Sequence, residues 1–407
     1  MPDANPEFTN SSFMFTIASN EQWVMHALLA CAALHASWDA IVPKQYALIY
    51  NQSALRGLRR AVRVSHTEHC GDMILATCLS LGVFEDFYLA PISQSLTHYT
   101  ALARVLEQQT MDVSEFDTLQ FSILHWTALD SILYHFSTRL IFEKDVRVAC
   151  SSFPSRAIEK YIKAIENEQA KPRPSSLILP VLGKLPPALF LLIYQMTWLS
   201  RQRPLETGFN HDLALRYVAE IYRLERGRIR SRFGKLSLTK DDNNMSNADI
   251  GTELYFLAAR IFARKLENPQ EICSSSPEIT ELLSKGLALL ELYDGNARYG
   301  QFICWPMLIL GCAVCPNADS GESQDCLSSR GGSLYTKTKA VIQDQLLRIW
   351  ETSHSGHVKR TVNALERVWK APGYFDRDTA MENYSETGCD SLDALIWETG
   401  VGRVWLS

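Results

Sequence analysis

The sequence predicts an all-α protein built as a single large helical domain, and three observations carry that prediction. Apolar residues recur at spacings of three and four along most of the chain, and no convincing run of alternating apolar and polar residues marks a strand. The 407 residues, 46% of them hydrophobic, are enough for a large core. From Glu21 to Trp38 the stretch EQWVMHALLACAALHASW is apolar on nearly every face, as in a helix at the centre of a bundle. Tyr46 to Val64 and Asp72 to Tyr88 continue in helical mode, and Ser95 to Gln109 places Leu96, Tyr99, Leu102 and Leu106 on one face. Phe116 to Phe142 and Pro154 to Gln169 follow, then Ala188 to Ser200 and His211 to Ile229. Beyond the polar segment Lys235 to Asn247 come Ala248 to Leu266 and a helix opened by Ser276 as cap with Pro277 at its first position, closing near Gly295. Thr336 to Trp350 and Gly356 to Lys370 are the last helices, the second stopped by Ala-Pro-Gly. Lys171 to Pro187, with five prolines, and Asn317 to Gly332 read as loops. Residues 1–20 are expected as a flexible flank, 21–372 as the helical domain, and 373–407 as a tail packing on or near it.

Composition excludes several function classes. Forty Lys plus Arg against forty-five Asp plus Glu give a net charge of −5, without the basic excess of a chain living on phosphate contacts, so no direct nucleic-acid partner is expected. The longest apolar runs, Ile303 to Cys315 and Val181 to Leu199, are interrupted by Pro306 and by Lys184, Pro186 and Pro187, so neither offers the roughly 20 unbroken residues of a membrane span. MPDANPEF at the start lacks the features of a signal peptide, and a cytoplasmic location is expected. Ten scattered cysteines then read as buried small hydrophobes, and the pair Cys312 and Cys315 lacks the second pair of a zinc site. His26, His35, His98, His125 and His135 sit in apolar helices as core histidines, and His354 and His357 lie in a Ser-Gly loop with no ligand-type neighbour in sequence. No Gly-x-Ser-x-Gly elbow, Gly-x-Gly-x-x-Gly turn or P-loop occurs. The basic run Arg223 to Lys235 reads as a solvated helix face.

Five segments in order resemble a known family: WVMHALLACAALHAS at 23–37, LSLGVFEDFY at 79–88, SLTHYTALARVLE at 95–107, CWPMLILGCAV at 304–314 and TVNALERVW at 361–369. They resemble the regulatory domain of fungal zinc-cluster transcription factors, especially the sterol-uptake-regulator type, which implies an all-helical domain of that type. In that family the domain follows a basic cluster of six cysteines that enters the DNA major groove. This sequence has one cysteine, Cys31, before residue 70, so a DNA-reading module is expected to be lacking.

A second segment, NADIGTELYFLAARIFARKLENP at 247–269, is similar to the substrate-binding helix of the unusual humulene synthases of fungal tropolone-sesquiterpenoid pathways. That resemblance implies a magnesium-dependent sesquiterpene cyclase of secondary metabolism acting on farnesyl diphosphate, with Mg2+ as cofactor and a prenyl diphosphate as substrate. Ile261 and Lys265 match the family's apolar residue and essential lysine. Lys265 would receive diphosphate, Arg264 or Arg260 would assist, and Ile261, Phe256 and Phe262 would shape the pocket. Asp86, Asp130 and Glu253 would hold the metal, with Glu85 and Asp249 as further carboxylates. Glu253 and Lys265 are twelve residues apart, about 18 Å along a helix, so the lysine needs carboxylates from other helices. The usual Asp-Asp-x-x-Asp signature is absent, Asp241-Asp242-Asn243-Asn244 being followed by Met245. The alternative for Lys265 is a solvated lysine at a helix end, favoured by the dipole. The alternative for the whole chain is a non-enzymatic transcription regulator or ligand-binding domain, lacking its own DNA-binding module, controlling a biosynthetic gene cluster from the nucleus. The oligomeric state, including a homodimer, stays open.

Overall fold

The structure, a computed structural model, describes residues 11–64, 69–89, 92–111, 123–143, 146, 150–151, 153–169, 185–201, 209–235, 245–296, 300–314, 330–370 and 391–396. Among them there is no strand, and the fold class is all-α. The helices are α1 (Ser11–Asn20), α2 (Gln22–Trp38), α3 (Lys44–Val64), α4 (His69–Phe87), α5 (Ile92–Met111), α6 (Ile123–Arg139) and α7 (Ser155–Gln169). They continue as α8 (Pro187–Ser200), α9 (Phe209–Lys235), α10 (Asn247–Glu267), α11 (Pro277–Leu292), α12 (Cys304–Cys312), α13 (Arg330–Ser353) and α14 (Gly356–Lys370). Short 3-10 turns cover Leu140–Phe142, Gly300–Ile303 and Ser391–Leu395. No helix among the described residues is long and apolar enough to cross a membrane. Two compact units result, Met1–Leu191 with His354–Gly356, and Leu192–Ser353 with His357–Ser407.

In the first unit α2 packs on both α3 and α4, which is why it is apolar on nearly every face. Its small residues let the neighbours come close. Ala30 and Leu34 meet Ala47 of α3 and Phe84 of α4, and one turn earlier Ala27 meets Ala54 and Leu81. Gly57 extends this economy, since a Cβ there would stand 2.1 Å from Trp23 Cβ. A fully formed Schellman motif ends α2: Ala40 N–H bonds Ser37 O at 3.2 Å and Ile41 N–H bonds Ala36 O at 3.1 Å. Cys78 is sealed in this core and Cys31, partly buried, packs against it, and burial pushes each thiol up to about 12. Ser11–Asn20, within the segment expected as a flexible flank, form α1, whose Met14 and Ile17 are half-buried and whose Ala18 is buried where the helix packs on α2 and α4.

In the second unit α10 takes the central place, packed by α9, α11 and α12. Its start is capped as its sequence requires, Ser246 Oγ accepting from Asp249 N–H at 3.2 Å and donating to Asp249 Oδ2 at 2.7 Å. Tyr255 stacks on Trp305 of the wholly buried α12, with centroids 5.6 Å apart and planes at 11°, and its hydroxyl donates to Phe302 O at 2.6 Å. Pro277 does occupy the first turn of α11, but Ser276 does not cap it; its hydroxyl accepts from Cys273 N–H at 3.0 Å instead. Gln345 of α13 closes the other end of α11, donating to Leu290 O and Tyr293 O at 2.9 Å each. The described part of the tail, Ser391–Leu395, is buried, with Ser391 Oγ donating to Val314 O at 3.1 Å.

Two glycines predict opposite outcomes. Gly356 lies against α4 so closely that a Cβ would sit 2.1 Å from the backbone oxygen of Asp86, so Gly356→Ala destabilises the protein by about 1–3 kcal/mol in urea unfolding. Gly227, on the exposed face of α9 with nothing within 4 Å, gains about 0.5–1 kcal/mol on replacement by alanine. A third expectation concerns pH. His125 of α6 stands 3.7 Å from Asp72 of α4, and burial lowers its pKa from 6.5 by more than the nearby carboxylate raises it. The unfolded chain then binds the extra proton first, so this contribution is complete above about 6.5 and is lost as pH falls through the lower folded value. His125→Phe flattens that part of the stability profile between pH 7.5 and 5, measured by urea unfolding across the series.

Candidate functional site

The carboxylates and cations singled out from the sequence lie within the two units, and the structure gives each a local partner. In the first unit Asp86 occupies the last turn of α4, only 5% exposed. Arg139 Nη2, from the end of α6, reaches its Oδ1 at 3.2 Å, and Ser355 Oγ donates to its Oδ2 at 2.9 Å. Arg139 is equally buried, lies over the Tyr99 ring at 5.8 Å, and makes no hydrogen bond through Nε or Nη1. Burial raises the Tyr99 pKa, with Arg139 pulling it down and Asp86 pushing it up. Glu85, one residue earlier, faces His98 at 3.9 Å.

Asp130 lies in the middle of α6 and accepts from Tyr161 Oη at 2.9 Å. Burial, then the negative charge of Asp130, holds that phenol protonated. Nine residues separate Asp130 from Arg139, roughly 13 Å of helix rise, so Asp130 stands about two and a half turns from the partner of Asp86.

In the second unit the predicted residues ride on α10. Glu253 forms an ion pair with Arg228 of α9, whose guanidinium also lies over Phe256 at 5.6 Å. Asp249 is the capping residue already described. Arg260 stacks on Tyr222 at 4.8 Å. Arg264 is clamped between Glu278, with Nε at 3.0 Å from Oε1, and Glu267, with Nη1 at 2.5 Å; those hydrogen bonds, Glu278 first, raise its pKa. Phe256, Ile261 and Phe262 are wholly buried in the core, Phe262 near Trp305 at 6.4 Å.

Lys265 differs from both sequence readings of it. It is only 2% exposed, which corrects the solvated helix-end alternative. Its ammonium donates to Pro269 O and Ile272 O at 2.6 Å each and pairs with Asp393 Oδ1 at 2.7 Å. Three donors meet three acceptors, so the charge is fully spent within the protein. The lysine ties the segment following α10 to the tail, a linkage that no local pattern at residue 265 announces.

One group of metal-type ligands does come together among the described residues, and sequence spacing had missed it: His35, Asp39 and His354, with their ligand atoms all within 4.8 Å of one another. Only the i, i+4 relation of His35 and Asp39 was legible, because the third member comes from the far end of the chain.

With this geometry established, comparison with protein families gives one result: the model of the fungal specific transcription factor domain matches residues 6–378. The chain belongs to that family. Comparison with curated proteins and with solved structures found no match. The family corrects the expectation of a sesquiterpene cyclase and lyase, because nearly the whole chain is accounted for by a transcription-factor domain. The second resemblance rested on Ile261 and Lys265, a spacing of one helical turn that also serves core packing and a buried clamp. Magnesium entered only as the cofactor of that enzyme.

The clamp makes a measurable prediction. Lys265→Met leaves two carbonyls and Asp393 without their cation and costs about 3–5 kcal/mol, whereas Asp393→Asn, at a partly exposed partner, costs about 1 kcal/mol. Thermal unfolding of both variants checks the ranking; equal and negligible shifts would show that the ammonium is solvated.

Proposed function

We propose that the chain is the regulatory domain of a fungal transcription factor, acting in the nucleus and controlling genes without itself reading DNA. The observation that carries this reading is the family match over residues 6–378. Two features of the sequence agree with it. The residues include no run of six closely spaced cysteines, and a net charge of −5 gives no electrostatic grip on a polyanion. DNA contact therefore comes from another module, joined in cis or bound in trans.

A tethering assay tests the proposal. The full chain is fused to a DNA-binding domain from an unrelated protein and directed to a reporter promoter, and a fluorescent fusion is followed in a fungal host. The expected result is a several-fold change in reporter output relative to the DNA-binding domain alone, with accumulation in the nucleus. Unchanged output together with nuclear exclusion would sink the proposal.

A further inference from the structure

His35, Asp39 and His354 meet at one corner of the first unit. His35 and Asp39 are one turn apart at the end of α2, and His354 belongs to the short segment His354–Gly356 of the same unit. His354 Nε2 lies 3.6 Å from Asp39 Oδ1, and the two imidazoles stand edge to face with centroids 5.1 Å apart. A tetrahedral zinc ion, with nitrogen and oxygen ligands at about 2.0–2.2 Å, spaces its ligand atoms roughly 3.3–3.5 Å apart. A mutual spacing within 4.8 Å is therefore about an ångström of side-chain rotation from a closed set.

Two further features mark this corner. The non-glycine residues with positive φ among those described are Ala40 at 56°, Leu89 at 62° and His354 at 48°. All three belong here: Ala40 follows Asp39, His354 is itself a ligand, and Leu89 lies two residues beyond Phe87, whose ring packs on His35 at 5.5 Å. Each of the three follows the end of a helix, where a left-handed residue closes the last turn. The second observation is electrostatic. Both α2 and α4 end here, their C-terminal carbonyls favouring a cation, while α14 begins two residues beyond His354 with its opposite potential, so the Asp39 carboxylate supplies the negative charge of the site.

The neighbours define the site's limits. Trp38 stacks on His354 at 6.4 Å and anchors its indole N–H to Phe87 O at 3.2 Å, which holds the imidazole's orientation. Lys44, a competing cation, is drawn onto the faces of Tyr88 at 4.1 Å and Trp38 at 5.9 Å. Cys31, one turn before His35, directs its thiol to Ser80 O at 3.0 Å, away from the three ligand atoms that come together here. Asp39 is half exposed, which leaves a path from solvent and room for water at the remaining position.

We propose that His35, Asp39 and His354 bind a divalent transition-metal ion, zinc being the best fit to two imidazoles and a carboxylate. The ion fastens the end of α2 to the segment at 354–356 and so offers a metal-responsive latch within the first unit. The inference does not rest on the regulatory reading of the chain.

Zinc is titrated calorimetrically into the full chain with its thiols reduced, at pH 7.5 and pH 5.5, and cobalt(II) supplies a visible spectrum. The expected result is one equivalent bound at pH 7.5, weakened at pH 5.5 by proton competition, with cobalt bands free of thiolate charge transfer. Asp39→Asn and His354→Gln each reduce affinity by at least about tenfold and abolish the zinc-dependent rise in melting temperature. Asp39→Asn keeps the test valid if His354→Gln does not fold, since the Asp39 side chain is half exposed. Absence of uptake, a thiolate-ligated cobalt spectrum, or unchanged affinity in Asp39→Asn would each overturn the proposal.

Discussion

A charge sealed away from water must bring its counter-charge with it, and the first unit is arranged around one such pair. Transfer of an isolated ion from water to an apolar interior costs several kcal/mol even after relaxation. Asp86 and Arg139 offset that cost for each other, but only if the ends of α4 and α6 arrive at the same depth. Ser355 then satisfies the second carboxylate oxygen, and the residue after it has to be glycine because the Asp86 carbonyl occupies the space of a side chain. A single electrostatic requirement thus sets two helix lengths, the path of a remote segment and the identity of one residue. Lys265 imposes the same logic on the second unit, where the tail supplies the missing negative charge.

Seen this way, the interior divides its work between apolar area and a few closed polar sets. Apolar burial is non-directional and tolerates sliding, so it brings α2 among its neighbours without specifying depth. The closed sets specify it. Tyr161 on Asp130, Gln345 on the end of α11 and Trp369 Nε1 on Gly311 O at 3.0 Å each join elements far apart in sequence through one directional contact. Their value lies less in net stability than in the cost of leaving any one of them unmade.

Much of the fold was legible because helices announce themselves locally. The periodic stretch Glu21 to Trp38 became α2 almost to the residue, and the last helix, Gly356–Lys370, agrees at both ends. What escaped was non-local. Ser276 has the composition of a cap, yet a nearer donor, Cys273 N–H, claims its hydroxyl. Lys265 at a helix end has the composition of a solvated residue, and nothing within a turn of it reveals that Asp393 lies 2.7 Å away. The candidate sites suffered most. Asp86 and Ser355 are separated by 269 residues, and His35 and His354 by still more, so no spacing rule connects them. Family-level packing motifs were readable and indicated the correct family, whereas the two-residue match at Ile261 and Lys265 reflected helical geometry shared by unrelated proteins.

The partly buried thiol of α2 and the buried one of α4 have a consequence for chemistry in the living cell. Peroxides and disulfides react with thiolate, and a thiol raised to about 12 is ionised in on the order of one molecule in 100,000 at neutral pH. Cys31 and Cys78 are therefore insulated from the redox swings that inactivate many cysteine-bearing proteins. Packing around these two side chains is thereby slow to respond to oxidants that modify an exposed thiolate.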